Sequence, residues 1–278
     1  MGAPIRVAAV QMCSGTEPDA NLAALATLVE EAAGQGAAYV LTPEVSIAFA
    51  EDREGLARVA QPFAGNPAIA GAAQIAKTLG IHLHIGSMAV ALPDGRFANR
   101  SLLFAPSGEI AATYDKIHLF DATLPGLRDY RESLTYDGGD QAVVTAAAGF
   151  GLGLTICYDV RFPALFNTLA KAGAEVIAVP SAFTVPTGQA HWEVLLRARA
   201  IETGCYVIAA AQGGQHRNGR ATYGHSLIVD PWGRVIAGFA HDRPGVVVAD
   251  IDVERVAEAR ARLPVLDHAR AFTIGRQG

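Results

Sequence analysis

The sequence predicts an α/β fold in which helices cover both outer faces of a β core. Three observations point there. Short apolar runs of strand character alternate with stretches of helical spacing along the whole chain. Of 278 residues, 51% are hydrophobic and only 18% charged, which is enough apolar material for a large interior. No Ser/Gly-rich linker or composition break interrupts the pattern, so one domain is expected. Its core should run from about residue 5 to 266, with a tail over 267–278.

Ile5 to Met12 reads as a buried first strand. Pro18 to Ala33 carries Leu22, Leu25, Leu28 and Val29 on one helical face and stops near Gly34. Ala38 to Leu41 is a short strand. Asn66-Pro67 opens a helix that closes at Gly80. Ile81–Met88, Asn99–Ala105 and Ile110–Tyr114 are strands, separated by turns at Pro93-Asp-Gly95 and Pro106-Ser-Gly108. Residues 117–141, rich in Asp, Gly, Pro and Arg, form a long irregular connection of the kind that carries function. After Cys157 the order repeats: a helix to Gly173, a strand over Glu175–Val179, and a helix from about Ala190 to Thr203. Strands follow at Tyr206–Ala211, His225–Val229, Val235–Gly238 and Val246–Ile251, then a helix over Val253–Arg262. Residues beyond Pro264 read as a tail able to reach a partner subunit.

A formal net charge of −5 gives no reason to expect nucleic acid or an anionic membrane as partner. No apolar run approaches the ~20 residues that span a bilayer. Met1 to Arg6 reads as the start of a strand rather than a signal peptide. Three cysteines are too few for a disulfide framework, and their spacing is not that of a metal knuckle. Cys13 and Cys205 are expected in the core. A reducing, cytoplasmic setting fits.

Three residues stand where strands end. Cys157 closes the run Gly151-Leu-Gly-Leu-Thr-Ile-Cys157, Glu44 follows Ala38–Pro43, and Lys116 follows Glu109–Asp115. A strand-to-helix junction at Cys157 would lower the thiol's pKa. A thiol is a strong nucleophile toward an acyl carbon once a base takes its proton. Glu44 could be that base. Lys116 and the Tyr158 N–H could face the resulting oxyanion. The set suits amide or nitrile hydrolysis through a thioester and calls for no metal or organic cofactor. Taken singly, each residue also fits a structural role, and spacing does not join them.

Four segments do. Leu41–Glu44, Tyr114–Phe120, Cys157–Pro163 and His191–Ala200 resemble, in order, the motifs of the nitrilase superfamily of carbon–nitrogen hydrolases. Tyr223–Ser226 and Asp230–Gly233 continue the likeness. The resemblance implies a four-layer αββα sandwich that pairs across a helical face into a dimer. It implies Glu44 as general base, Lys116 as the oxyanion-side cation and Cys157 as nucleophile. It also implies a second carboxylate after the lysine, which Glu132 matches. Pro180–Phe183, Thr187-Gly188, His191-Trp192 and Ala198–Thr203 resemble the Nit branch and its deaminated-glutathione amidases. The sister ω-amidases, acting on α-ketoglutaramate, match these flanks less well. The stretch Gln212–Arg220 matches neither. The expected role is metabolite repair on a small-molecule amide, by a homodimer or higher homo-oligomer. A thiol sensor or scaffold on the same fold is the rival of a different class.

Other residues qualify as substrate contacts. Arg161 and Arg197 could grip a carboxylate, or could pair internally with Asp159 and Glu193. His191 is read as opening a helix beside the pocket loop, and Phe183 as lining the pocket. His82 and His84 share a strand face but lack further ligands and are read as structural. Gly149–Gly153 departs from a dinucleotide loop at Leu154, and no G-x-S-x-G elbow is present.

Overall fold

The computed structural model describes residues 3–50, 52–123 and 129–276. Residues 124–128 of the expected long connection, and the last two residues of the expected tail, lie outside them. Two mixed sheets form the centre. Along the main path of the first, the strands lie in the order Gly245–Ile251, Ile5–Gln11, Tyr39–Leu41, His82–Ala91, Phe97–Phe104, Ile110–Asp115. The second runs Val144–Ala147, Phe150–Leu154, Val176–Ala178, Tyr206–Ala209, Leu227–Val229, Val235–Gly238. Crossing either sheet, neighbours pair antiparallel, parallel, parallel, antiparallel, antiparallel.

Residue alternation builds the layers. Val7, Ala9, Tyr39 and Leu41 pack with Phe150, Leu152 and Leu154 of the other sheet. Their neighbours Ala8, Val10 and Val40 pack outward against Leu25, Val29 and Ile69 of helices Pro18–Gly34 and Pro67–Leu79. Helices Pro163–Lys171 and Val185–Thr203 cover the far side with Phe166, Leu169, Trp192 and Leu196. The result is the expected αββα order. His84 lies between the sheets, 2.6 Å from the Tyr39 hydroxyl and 2.6 Å from Ser101 Oγ. Burial pushes its pKa down to about 3. Among the described residues, no helix is long and apolar enough to cross a membrane.

Several elements differ from the sequence reading. Helix Val185–Thr203 starts five residues earlier than expected. Pro186 and Gly188 look like loop signals, but proline is tolerated in a first turn. At Gly188 a Cβ would lie 2.2 Å from the Tyr223 ring. A helix over Arg53–Val59, capped by Asp52 through the Gly55 amide, was not anticipated. Neither was the hairpin Gly213–Gln215/Ala221–Tyr223. Cys205 is buried, whereas Cys13 is exposed. The strand ends at Gln11, and Cys13 turns outward with its Sγ 3.3 Å from the Gln215 carbonyl.

The turn that carries Glu44 is fixed by an irregularity in the next strand. The register of His82–Ala91 against Phe97–Phe104 shifts between Ile85 and Met88. There Ser87 Oγ accepts the Val45 amide at 2.9 Å, and the Ser87 carbonyl accepts Ser46 N at 3.0 Å. Val45 sits at φ 51°, a conformation a β-branched residue adopts only when its surroundings impose it. Gly86 makes the close approach possible, since a Cβ would fall 2.0 Å from the Thr42 carbonyl and 2.6 Å from that of Pro43. We therefore expect Gly86→Ala to cost at least about 1–3 kcal/mol in urea unfolding. Gly34→Ala, where a Cβ meets nothing within 4 Å, should be neutral or stabilising.

Candidate active site

A cavity of about 690 Å³ is walled in part by Glu44, Asn99, Lys116, Glu132, Tyr136 and Cys157. These come from five separate segments, and the strand ends of both sheets bring them together. Lys116, one residue past strand Ile110–Asp115, is 2% exposed. Its Nζ lies 2.8 Å from Glu44 Oε1, and 3.0 and 2.8 Å from the two oxygens of Glu132. Burial alone would pull the ammonium's pKa down. The charges of Glu132 and Glu44 outweigh it and hold the pKa well above the ordinary lysine value.

Glu132 opens a 3-10 turn, Glu132–Leu134, within the irregular connection. Its Oε2 also accepts the Phe120 amide at 2.6 Å, so the backbone on either side of the 124–128 segment is tied to one carboxylate. Asn99 donates from Nδ2 to Glu44 Oε1 at 3.1 Å and to Glu132 Oε1 at 3.2 Å. Its backbone carbonyl accepts Lys116 N at 3.0 Å.

Cys157 begins the 3-10 turn Cys157–Arg161 at φ 50°, in the left-handed region. Its amide donates to the Pro180 carbonyl at 2.8 Å. The Glu44 carboxylate and the Ala182 amide flank the thiol and act on its charge. Burial raises its pKa well above the usual thiol value, and the Glu44 charge raises it further, against the pull of Lys116 and the Ala182 amide. This corrects the expectation of a lowered thiol pKa. The α-helix that follows starts only at Pro163, beyond the 3-10 turn. Desolvation and an adjacent carboxylate outweigh any dipole.

Asp159 links the two strand ends. Fully buried, it accepts the Ile156 amide at 2.8 Å and the Tyr114 hydroxyl at 2.6 Å through Oδ2. Through Oδ1 it accepts the His118 amide at 3.0 Å and meets His118 Nδ1 at 2.7 Å. One carboxylate thus clamps the cysteine turn to the lysine segment. Sequence reading treated Asp159 only as a partner for Arg161.

The structure brings Glu44, Lys116, Glu132 and Cys157 together but leaves the other expected contacts outside the cavity wall. These are Tyr158, Arg161, Phe183, His191 and Arg197. Arg161 stacks over Phe183 and Tyr158 and lies 3.3 Å from His191 Nδ1, instead of pairing with Asp159. His191 lies inside helix Val185–Thr203 and does not cap it. Arg197 pairs with Glu193 at 3.2 Å and donates to the Gly233 carbonyl. Sequence reading missed three arginines on the cavity wall, Arg53, Arg131 and Arg220. The Arg220 guanidinium lies over the rings of Phe49 at 5.0 Å and Tyr130 at 5.2 Å. The Asn218-Gly219 pair just before it was an available hairpin signal.

The thiol's charge balance is testable. Alkylation of Cys157 by iodoacetamide should set in only at alkaline pH. Removing a negative neighbour in Glu44→Gln should move that onset to lower pH. Removing the cation in Lys116→Met should move it higher, each by about one unit or more. Identical onsets in all three proteins would contradict the arrangement.

Comparison with known proteins agrees with this geometry. A family profile described as carbon-nitrogen hydrolase matches residues 6–261. A Bos taurus protein named deaminated glutathione amidase is 41% identical over 278 residues, 98% of this chain and 84% of its own. The crystal structure of the C. elegans NitFhit protein superposes with a TM-score of 0.89 at 36% identity. That match covers 96% of this chain and 65% of the longer NitFhit chain. An amidase mutant from Nesterenkonia sp. AN1, bearing acrylamide added at its active site cysteine, gives a TM-score of 0.77 at 27% identity. The latter match covers 94% of this chain and 98% of that one. With its profile match spanning nearly the whole fold and its strand ends gathered around one cysteine, this chain belongs to the carbon-nitrogen hydrolase family.

Proposed function

We propose that the protein is a cysteine amidase that hydrolyses deaminated glutathione through a thioester. The observation that carries this reading is the convergence of Cys157, Glu44, Lys116 and Glu132 on one cavity. Because burial keeps the thiol protonated, its proton must leave as it attacks. Glu44 takes that proton while Cys157 Sγ bonds to the amide carbon. The oxyanion forms beside the Lys116 ammonium. Glu44 then protonates the departing nitrogen, and cysteinylglycine leaves. Water, giving its proton to Glu44, cleaves the thioester and frees the acid and the thiol. Glu132 holds Lys116 in place throughout. Nucleophile, base and cation are all side chains of this chain, so no step needs a cofactor.

The substrate carries carboxylates remote from the scissile bond. Arg220 is the proposed grip for one of them, in place of Arg161 and Arg197. Its guanidinium lies over the rings of Phe49 and Tyr130 at the cavity wall, and a guanidinium suits a carboxylate's geometry. Release of cysteinylglycine from deaminated glutathione, and of ammonia from α-ketoglutaramate, tests the reading. Preference for the second amide would make the protein an ω-amidase. Cys157→Ala should lower turnover at least ~10³-fold. Arg220→Met should raise KM about 10- to 100-fold for a carboxylate-bearing amide, with little change for butyramide. Turnover surviving in Cys157→Ala would remove the nucleophile.

We further infer a cytoplasmic homodimer. Val194 and Ile201, seven residues apart on one helix, are exposed, as are Trp232 and Val235. The Gly233 backbone approaches Ile201, which brings the turn after Trp232 against this helix. Three unpaired thiols suit a reducing compartment. Ile201→Asp should shift the protein from dimer to monomer in sedimentation velocity, and a monomeric wild type would dismiss this surface.

A further inference from the structure

Glu44 and Glu132 share one cation. Two carboxylates converge on Lys116 Nζ in a nearly closed space. Such a cluster is one negative charge in excess. Like charges held this close repel, so each carboxylate must be held in place against the other. Asn99 sits where that repulsion is strongest. Its single amide nitrogen lies 3.1 Å from Glu44 Oε1 and 3.2 Å from Glu132 Oε1, one N–H for each. The group is neutral, so it separates the two anions without changing the charge that Lys116 must balance.

The other end of the same side chain shows what fixes its orientation. Asn99 is 1% exposed, and its Oδ1 is buried with no hydrogen-bond partner. Turning the amide over would set that oxygen against two carboxylate oxygens. The side chain therefore leaves an acceptor unsatisfied so that both hydrogens face the carboxylates. Its backbone cannot shift to relieve this, because the Asn99 carbonyl receives Lys116 N and Asn99 is in register with Ala89.

We infer that Asn99 is a positioning residue that holds the Glu44 carboxylate directed at the thiol against the repulsion of Glu132. The inference rests on the reading of Glu44 as the base. Without that donor the carboxylate is free to turn away from the thiol, so the rate of proton removal falls while substrate binding is kept.

The test is kcat and KM for deaminated glutathione in wild type, Asn99→Ala, Asn99→Ser and Asn99→Asp. In Asn99→Ala kcat should fall about 10- to 100-fold with KM within about threefold of wild type. The loss should be smaller in Asn99→Ser, which keeps a donor, and largest in Asn99→Asp, which adds a third carboxylate. A rise in KM with kcat unchanged, or equal losses in Asn99→Ala and Asn99→Ser, would overturn the inference and leave a packing role only. If Asn99→Ala does not fold, Asn99→Ser decides by the same criterion. Glu44→Gln separates the two claims, because a variant retaining wild-type activity would remove the base itself. If wild type turns over neither deaminated glutathione nor α-ketoglutaramate, Cys157 alkylation becomes the readout. Asn99→Asp should then raise its alkaline onset, and an unmoved onset overturns the placement.

Discussion

An ammonium group with almost no access to water needs anions around it, and Lys116 organises the cavity for that reason. Removing solvent from a lysine is costly unless opposite charge replaces the water. Here the replacement comes from Glu44 in the first half-sheet and Glu132 in the irregular connection. Neither carboxylate has a reason to be buried without the lysine. The two strand ends and the loop are therefore mutually dependent, and the turn of the cysteine is joined to them through Asp159.

The same charges decide the chemical state of the sulfur. A carboxylate beside a buried thiol opposes its ionisation, while a lysine favours it. The balance here lies with the neutral thiol. On the proposed mechanism the nucleophile is thus created in the act of attack, when Glu44 accepts the proton and ceases to oppose the charge developing on sulfur. Base and nucleophile act as a unit whose separate contributions cannot simply be summed.

Most of the framework was legible because it depends on local pattern. Strand Ile5–Gln11, helix Pro18–Gly34 and strand Val235–Gly238 follow from apolar spacing and turn residues. Glu44, Lys116 and Cys157 stood out as polar residues at strand ends, but only the resemblance of four segments joined them. What was hidden depends on contacts between distant segments. Gly188 looks like a loop residue until the Tyr223 ring is placed against it. Arg161 beside Asp159 suggests an ion pair, yet Asp159 is taken up by Tyr114 and His118. Cys13 follows an apolar run but lies beyond the strand's end, where the chain turns to the surface. Arg220 could be located only once the hairpin folded over the cavity.

The pairing of Ile5–Gln11 with Gly245–Ile251 joins two strands separated by most of the described sequence. Until the ribosome has released Gly245–Ile251, the nascent first sheet lacks that neighbour and shows the backbone donors and acceptors of Ile5–Gln11 as an edge. Such an edge invites addition of foreign strands and aggregation. A chain cut short before Gly245 would retain every residue assigned to catalysis, yet its first sheet would lack its outermost strand.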